Sequence, residues 1–261
     1  MTHEPRIAML IDADNSPADM IDVVLDELAK EGVINIRRAY GNWRSTHLNG
    51  WAALLHDFAI QPIQQFDYTK GKNATDAAMI IDAMDLLYTK QLEGFGIVSS
   101  DADFTPLVMR LRANGLKVYG FGEQKTPKPF VNACNKFLYL ENLRSTEPSM
   151  AATGPQAAEN AGQNEAAVAR ADASTMRGDT RLVNLLRKAV DAAADDEGWA
   201  GLGAVGQHIS KQASFDSRNY GYSKLSGLFQ AIGLFDIRSH GKGLQVRDRR
   251  RANATLPDTS G

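Results

Sequence analysis

The chain has 261 residues, 43% of them apolar and 23% charged, which is the composition of an ordinary globular protein with room for one large or two modest domains. Its one cysteine, Cys134, excludes an internal disulfide and a thiolate zinc cluster and indicates a reducing compartment. No apolar run approaches the roughly 20 residues of a membrane span and the first residues lack a signal-peptide pattern, so we expect a cytoplasmic protein with no membrane partner.

The net charge of -2 hides an asymmetry along the chain. Residues 1–145 hold 15 Lys and Arg against 18 Asp and Glu, whereas residues 179–251 hold 12 against 8. A basic C-terminal part beside an acidic N-terminal part indicates separate roles, and the basic part favours an anionic partner.

Strand and helix signals alternate along the first half of the chain. Apolar runs predict strands at 7–11, 34–40, 59–66, 95–98, 116–121 and 137–140. Helical spacing and start signals predict helices from Pro17, over 46–58, over 75–90, over 105–113 and over 127–134. This alternation predicts a parallel sheet covered on both faces. With the strand order 3-2-1-4-5, the winding reverses between strands one and four, where ligands of such sheets bind.

Acidic turns follow two of the predicted strands. Asp12 and Asp14 end the first strand, and Asp101 and Asp103 follow the fourth. Asp76 opens the helix before that fourth strand. Acids at the carboxyl end of a buried strand need a cation or solvent, and Mg²⁺ and Mn²⁺ prefer hard oxygen ligands. The pattern therefore predicts metal-dependent chemistry, in which a metal-activated water attacks a phosphate.

Each acid also has a structural interpretation. Asp14 or Asn15 could cap the first helix, Asp76 could favour a helix N-terminus, and Asp103 could cap the helix that follows it. Asp82 lies about 240° around the helix from Asp76 and ranks below it as a candidate ligand. The two acidic turns and the acidic helix start at Asp76 make three acidic segments that converge at one predicted sheet edge, which favours a shared site over independent caps.

No competing catalytic pattern is found. His47 and His56 lie in a polar helical stretch and are interpreted as surface residues. Ser99 and Ser100 lack a predictable His partner. No glycine-rich nucleotide motif follows the first strand, so a nucleotide cofactor is not predicted. Lys72, in a Lys-rich loop, is a candidate phosphate contact, with a solvated loop as the alternative.

The composition changes after the predicted sheet. Residues 146–178 contain almost no large apolar residues and are predicted to be a flexible linker. Residues 179–250 regain helical periodicity and end in a predicted β-hairpin, a pattern typical of a small winged-helix domain. Residues 251–261 are predicted to be a disordered tail.

Basic and aromatic residues are interleaved in this second domain. Arg218, Tyr220 and Lys224 are candidates for contacts with a nucleic-acid backbone and its bases. The alternative is that the aromatic rings form the core of the domain while the charges keep it soluble.

Three motifs carry a resemblance to a known family: Ile11-Asp12-Ala13-Asp14-Asn15, Thr75-Asp76 running on to Ile81-Asp82-Ala83-Met84, and Ser99-Ser100-Asp101-Ala102-Asp103-Phe104-Thr105-Pro106. By these motifs residues 6–143 resemble the NYN domain of the LabA-like group, in the PIN-like nuclease superfamily. The resemblance implies a ribonuclease, with endonuclease activity favoured, that depends on Mg²⁺ or Mn²⁺. It implies metal and catalytic roles for Asp12, Asp76, Asp101 and Asp103, while Asn15 would orient substrate or a ligand. Ser100 departs from the family pattern, in which Gly often follows the first Ser.

Residues 180–247 are similar to the LOTUS domain, also called OST-HTH. The resemblance is most specific at Arg218-Asn219-Tyr220-Gly221-Tyr222-Ser223-Lys224-Leu225. It implies a winged-helix module that binds RNA, with protein binding known for some members. An NYN domain followed by a LOTUS domain is a bacterial arrangement, so each resemblance supports the other.

The sequence therefore predicts an α/β, PIN-like Rossmannoid domain at 1–145 and a LOTUS-like winged-helix domain at 179–250. The predicted function is a metal-dependent ribonuclease with a C-terminal RNA-binding module. A non-catalytic regulatory adaptor that binds RNA or protein is the alternative, which the costly cluster of like charges disfavours. The RNA target, the number of metal ions, cleavage of DNA and the oligomeric state, a homodimer included, stay open.

Overall fold

The computed structural model describes residues 3–66, 74–89, 91–144, 170–241 and 243–254. By its internal contacts the chain divides into two units, Met1–Arg144 and Ser145–Gly261. The predicted phosphate contact Lys72 and residues 146–169 of the predicted linker lie outside the described residues.

The first unit alternates strands and helices, as the sequence predicts. Its strands are β1 (Arg6–Asp12), β2 (Val33–Gly41), β3 (Gln61–Gln64), β4 (Gly94–Val98), β5 (Lys117–Gly122) and β6 (Lys136–Tyr139). Its α-helices are α1 (Ile21–Ala29), α2 (Asn49–Leu54), α3 (Ala74–Thr89), α4 (Thr105–Ala113), α5 (Lys128–Ala133) and α6 (Leu140–Arg144). Short 3-10 helices lie at Ala18–Met20, Thr46–Leu48 and Ala102–Phe104.

The six strands pair in parallel in the order β3-β2-β1-β4-β5-β6. This confirms the predicted α/β class and the predicted order, with β6 added at the edge. The winding reverses between β1 and β4, which are neighbours in the sheet. The carboxyl ends of these two strands therefore form the switch point at which a ligand site is expected.

Strand β1 is buried on both faces of the sheet. Ile7, Met9 and Ile11 pack into one core cluster, and Ala8 and Leu10 pack into the other. Alternate residues of a strand point to opposite faces, so each apolar residue of β1 packs against one of the two helical layers. Because helices cover both faces, the carboxyl edge of the sheet is where polar groups of these strands can reach solvent.

The register between β1 and β4 aligns the two acidic turns. Ile11 pairs with Val98, so Asp12 and Ser99 come next on adjacent strands at the same level. The backbone N–H of Ser99 donates to the carbonyl of Phe121 at 2.9 Å, which ties this turn to β5 as well. The pairing of the strands thus brings the turns after β1, β4 and β5 together.

The second unit combines helices with a small antiparallel sheet. Its α-helices are α7 (Ala173–Gly178), α8 (Thr180–Ala193), α9 (Leu202–Gln212), α10 (Leu225–Ile232) and α11 (Arg249–Ala254), with a 3-10 helix at Ser217–Tyr220. Its strands are β7 (Ala200–Gly201), β8 (Phe235–His240) and β9 (Gly243–Asp248), in the order β7-β9-β8. Antiparallel β8 and β9 form the wing. This arrangement confirms the predicted fold class for the second domain.

The packed part of this unit starts before residue 179. Met176 of α7 is buried against the same core cluster as Leu186 and Phe229. Helix α7 lies within the residues predicted to be a linker. The sequence does not indicate this helix, because one buried methionine is a weak apolar signal in a polar stretch. In the described part of the chain, no helix has the length and apolar character that a membrane crossing requires.

Candidate functional site

Asp12 is fixed at the carboxyl end of β1 by neutral donors. Its side chain is fully buried. Its Oδ2 accepts from Ser99 Oγ at 3.0 Å, and Asn15 Nδ2 lies 3.1 Å from Oδ2 and 3.3 Å from Oδ1. Burial raises the pKa of Asp12, and the hydrogen bonds from Asn15 and Ser99 oppose that rise. Among the described residues Asp12 forms no ion pair, so its negative charge lacks a compensating cation there.

Ser99 joins this carboxylate to the turn that carries Asp101. The backbone N–H of Asp101 donates to Ser99 Oγ at 3.0 Å, while the hydroxyl itself donates to Asp12. Asp101 Oδ1 in turn accepts from the backbone N–H of Asp103 at 2.8 Å and caps the 3-10 helix Ala102–Phe104. The cap of α4 predicted for Asp103 is not formed, since no side chain caps that helix. Asp103 is exposed.

Asp14 and Asn15 do not cap the first helix. Pro17 occupies the N-cap position of the 3-10 helix there, without a side-chain hydrogen bond. Asp14 Oδ2 instead accepts from Thr75 Oγ1 in α3 at 2.9 Å, and its Oδ1 lies 3.5 Å from His47 Nε2. His47, interpreted from sequence as a surface residue, is 57% exposed but reaches the acidic turn. These contacts hold the start of α3 against the turn after β1.

Asp76 shows that the predicted acids share one environment. Asp76 lies in the first turn of α3 and is 7% exposed. Burial, followed by the negative charges of Asp12, Asp101, Asp103 and Asp14, raises the pKa of Asp76 to about 6. Asp12, Asp101, Asp103 and Asp14 therefore lie close enough to Asp76 for their charges to act on its carboxyl group.

These acids form an open donor set. In the described ranges, no three His, Cys, Asp or Glu side chains converge closely enough to enclose a metal ion by themselves. Mg²⁺ usually keeps several waters and is held by one or two carboxylates together with substrate phosphates. The hard oxygens of Asp12, Asp76 and Asp101, none of them in an ion pair within the described residues, fit such an open site.

Asp82, which the sequence ranks below Asp76 as a candidate metal ligand, has a different role in the structure. Its carboxylate lies 2.5 Å from Arg38 Nη1 and accepts a hydrogen bond from the Tyr40 hydroxyl. Burial and then this hydrogen bond raise the pKa of Tyr40, so the phenol stays neutral. Asp82 therefore links α3 to β2 and lies outside the acidic cluster.

A cleft of about 730 Å³ opens beside the acids. Asp14, Asn15 and Asp101 line it, together with Ser100 and Lys125. Ser100, the departure from the NYN pattern, uses its hydroxyl to accept from the backbone N–H of Glu123 at 2.9 Å. The side chain thus connects the turn after β4 to the loop after β5, a link that glycine at this position would lack.

In the second unit, two of the three predicted RNA contacts have internal partners. The Arg218 guanidinium donates to both oxygens of Asp216, at 3.0 and 2.9 Å. The Tyr220 ring stacks on Phe215, with 6.0 Å between centroids, and packs against the core. Lys224 is exposed at the start of α10. The structure favours a structural role for Arg218 and Tyr220 and leaves Lys224 on the surface.

The wing carries a basic and aromatic stack that sequence reasoning missed. The guanidinium carbons of Arg238 and Arg247 lie 4.0 and 4.5 Å from the ring centroid of Trp199. Trp199 precedes β7, while the arginines lie on β8 and β9. The stack depends on strand pairing between segments far apart in sequence, so local patterns do not indicate it.

Comparison with protein families matches the NYN domain to residues 6–141 and the OST-HTH/LOTUS domain to residues 177–247. The chain belongs to the NYN domain family. Both resemblances found in the sequence are confirmed. NYN domains are typically PIN-like nucleases that use divalent metal ions, and the LOTUS domain is an RNA-binding module. The domain composition of this NYN protein therefore supports a nuclease-type function related to RNA.

Relatives of the NYN protein add no further activity. An uncharacterized protein of Methanocaldococcus jannaschii is 30% identical over 127 residues, which are 46% of this chain and 49% of that protein. The chain thus spans about half the length of this curated relative. A solved structure, of a protein of unknown function from Vibrio parahaemolyticus, is 18% identical with a TM-score of 0.44 and covers 53% of this chain and 94% of its own.

Thr75 offers a test of how the NYN domain positions Asp76. Thr75→Val keeps the side-chain volume but removes the hydrogen bond to Asp14, which holds the start of α3 and thereby the neighbouring Asp76. We therefore expect Mn²⁺ affinity to fall by roughly tenfold, the lower end of what loss of a supporting contact costs a metal site. Electron paramagnetic resonance of free Mn²⁺ measures this affinity. Thr89→Val, at the far end of the same helix, is the matched control. Equal Mn²⁺ affinity in the two variants would show that the Thr75 contact does not position Asp76.

Proposed function

We propose that this NYN protein is a divalent-metal-dependent ribonuclease, with Mg²⁺ or Mn²⁺ held by Asp12, Asp76, Asp101 and Asp103. The observation that carries the proposal is the position of these carboxylates in the turns at one sheet edge and at the start of α3. There burial, and then the neighbouring negative charges, raise the pKa of Asp76 to about 6. Like charges so close are costly unless a cation binds among them. The NYN match supports phosphodiester hydrolysis as the chemistry.

The chain's own residues prepare the carboxylates for such an ion. When bound, a divalent cation supplies a nucleophilic water at neutral pH and offsets the charge that develops on the phosphate. Ser99 and Asn15 fix the orientation of Asp12 through their hydrogen bonds. The Asn15 amide donates to Asp12, so we propose that Asn15 orients this metal ligand. Asn15 also lines the cleft through which substrate would pass. Thr75 and Asp14 hold the start of α3, which carries Asp76.

The second domain is proposed to bind RNA and deliver it to the first. Two binding modules in one chain raise the effective concentration of a shared ligand. Lys224 is exposed and is the proposed direct contact with RNA. Arg218 and Tyr220, which have internal partners, would support RNA binding by stabilising the domain. Lys72 stays a proposed phosphate contact of the first domain.

The experiment is a cleavage assay with the full chain. End-labelled single-stranded and hairpin RNAs are incubated with Mn²⁺, with Mg²⁺ or with EDTA. We expect cleavage with a divalent ion and none in EDTA, and internal cuts would identify an endonuclease. Intact RNA under all three conditions contradicts the proposal and favours an adaptor that binds RNA or protein without cleaving.

A further inference from the structure

The cleft beside Asp101, here called the side cleft, is so far only a proposed path for substrate, with no ligand group assigned to it. Its volume of about 730 Å³ falls within the range of roughly 300–1,000 Å³ that is usual for small-ligand sites. It lies between the turns that follow β1 and β4 and the loop that follows β5. It therefore begins at the acidic cluster and extends toward the β5 side of the sheet edge.

The walls of the side cleft combine apolar surface with hydroxyl groups. Pro17, Ala102 and Pro127 contribute apolar surface, and Ser16 and Ser100 contribute hydroxyls. Ser16 and Ser100 are held in place, because the Ser16 hydroxyl donates to the carbonyl of Val98 at 3.2 Å and Ser100 accepts from the loop after β5. The other lining side chains are Asn15, Lys125 and the carboxylates of Asp14, Asp101 and Glu123. Apolar surface beside fixed hydroxyls can contact a ring and hydrogen-bond a sugar.

Lys125 is the only cation among the described residues that line the side cleft. Its Nζ lies 2.5 Å from Glu123 Oε2, and its side chain is 75% exposed. The loop is held by the bond from Glu123 N–H to Ser100 and by Thr126 Oγ1, which donates to the Glu123 carbonyl at 2.5 Å. The Lys125 ammonium has three N–H donors, so it can contact an anion in the side cleft while it stays paired with Glu123.

We propose that the side cleft binds one nucleotide of the RNA strand, next to the phosphate that is cleaved, with the Lys125 ammonium on a phosphate oxygen. This inference rests on the proposed function and names a substrate subsite for it. A nucleotide joins a flat ring and a sugar to an anionic phosphate. The side cleft offers apolar surface, hydroxyls and one cation, and the divalent ion of the proposed function would offset the carboxylates of Asp14, Asp101 and Glu123. Asp101, a proposed metal ligand that lines the side cleft, would place this nucleotide beside the cation.

The test is a titration of the full-length chain with adenosine 5′-monophosphate in saturating Mg²⁺, followed by the amide NMR signals of Ser100, Ala102 and Lys125. We expect saturable shifts of these signals. Lys125→Gln should raise the apparent Kd by roughly tenfold, because a charge-assisted contact to phosphate is lost. Lys117→Gln is the matched control, since Lys117 is exposed at the other end of β5, on the opposite edge of the sheet.

Two outcomes overturn the subsite. In the first, Mg²⁺ shifts the amide signals but adenosine 5′-monophosphate causes no further change, which means that the side cleft holds only a cation. Alternatively, Lys125→Gln and Lys117→Gln can weaken binding equally, so Lys125 is not the contact. RNA cleavage by the wild-type chain, measured in parallel, reports on the ribonuclease proposal alone, because the titration requires no turnover. Nucleotide binding without cleavage supports the subsite and contradicts the ribonuclease.

Discussion

Asp101→Asn is expected to lower metal-dependent RNA cleavage by roughly a thousandfold or more, since the metal contributes several kcal/mol to stabilising the transition state. The substitution should leave the fold intact, because the asparagine carbonyl can still accept from the Asp103 N–H and cap the 3-10 helix. It removes only the charge. Asp12→Asn should also stop cleavage, but its amide would face the donors Asn15 or Ser99 and disturb the turn.

The measurement compares single-turnover cleavage rates in Mn²⁺ with RNA affinity of the same protein. RNA binding by the second domain should be unchanged in Asp101→Asn. Asp57→Asn, an exposed acid elsewhere in the first unit, is the control for a change of net charge. A wild-type rate for Asp101→Asn would mean that this carboxylate is not part of the site.

Asp76→Asn is expected to have two effects of opposite sign. Without metal, the variant should be more stable than the wild type by about 1 kcal/mol, or a few degrees in melting temperature, because one of several crowded negative charges is removed. With Mn²⁺, the wild type should gain stability by ligand linkage, whereas the variant should gain much less. Cleavage should be lost together with this response.

Thermal unfolding in EDTA and in excess Mn²⁺ measures both effects. Asp85→Asn, an exposed acid on the same helix, should change neither the stability in EDTA nor the response to Mn²⁺. If Asp76→Asn destabilises the chain in EDTA, the acids do not repel one another as proposed. If it responds to Mn²⁺ like the wild type, Asp76 is not a ligand.

The sheet and its strand order follow from local patterns in the sequence. Apolar runs such as that of β1 predict strands, and helical spacing between them predicts crossovers. Right-handed crossovers then leave few orders, among them the one observed. The same reasoning places Asp12 and Asp101 at one switch point, because the carboxyl ends of parallel strands meet at one edge.

The contacts that fix the acids could not be predicted in this way. Asp14 bonds to Thr75, 61 residues later, and Asp12 bonds to Ser99, 87 residues later. Such contacts depend on strand register and on the rotation of α3, which local patterns do not determine. Capping shows the same limit. The sequence predicts Asp103 as the cap of the following helix, whereas in the structure Asp101 caps the 3-10 helix between them.

In the second domain, sequence similarity marks a motif without distinguishing its internal from its exposed members. Arg218 lies in the most specific stretch of the LOTUS resemblance, but Asp216, two residues earlier, engages its guanidinium. Tyr220 is likewise turned toward Phe215 and the core. Which face of a short 3-10 turn is buried depends on tertiary packing, so this division needed the structure.

The most direct test is a crystal structure of the full chain soaked in Mn²⁺, with anomalous diffraction to locate the ion. The account predicts Mn²⁺ density among Asp12, Asp76, Asp101 and Asp103, and no such density in a crystal of Asp76→Asn. An acidic edge free of Mn²⁺ at a saturating concentration, or density confined to acids outside this cluster, would contradict a metal-dependent site in this NYN protein.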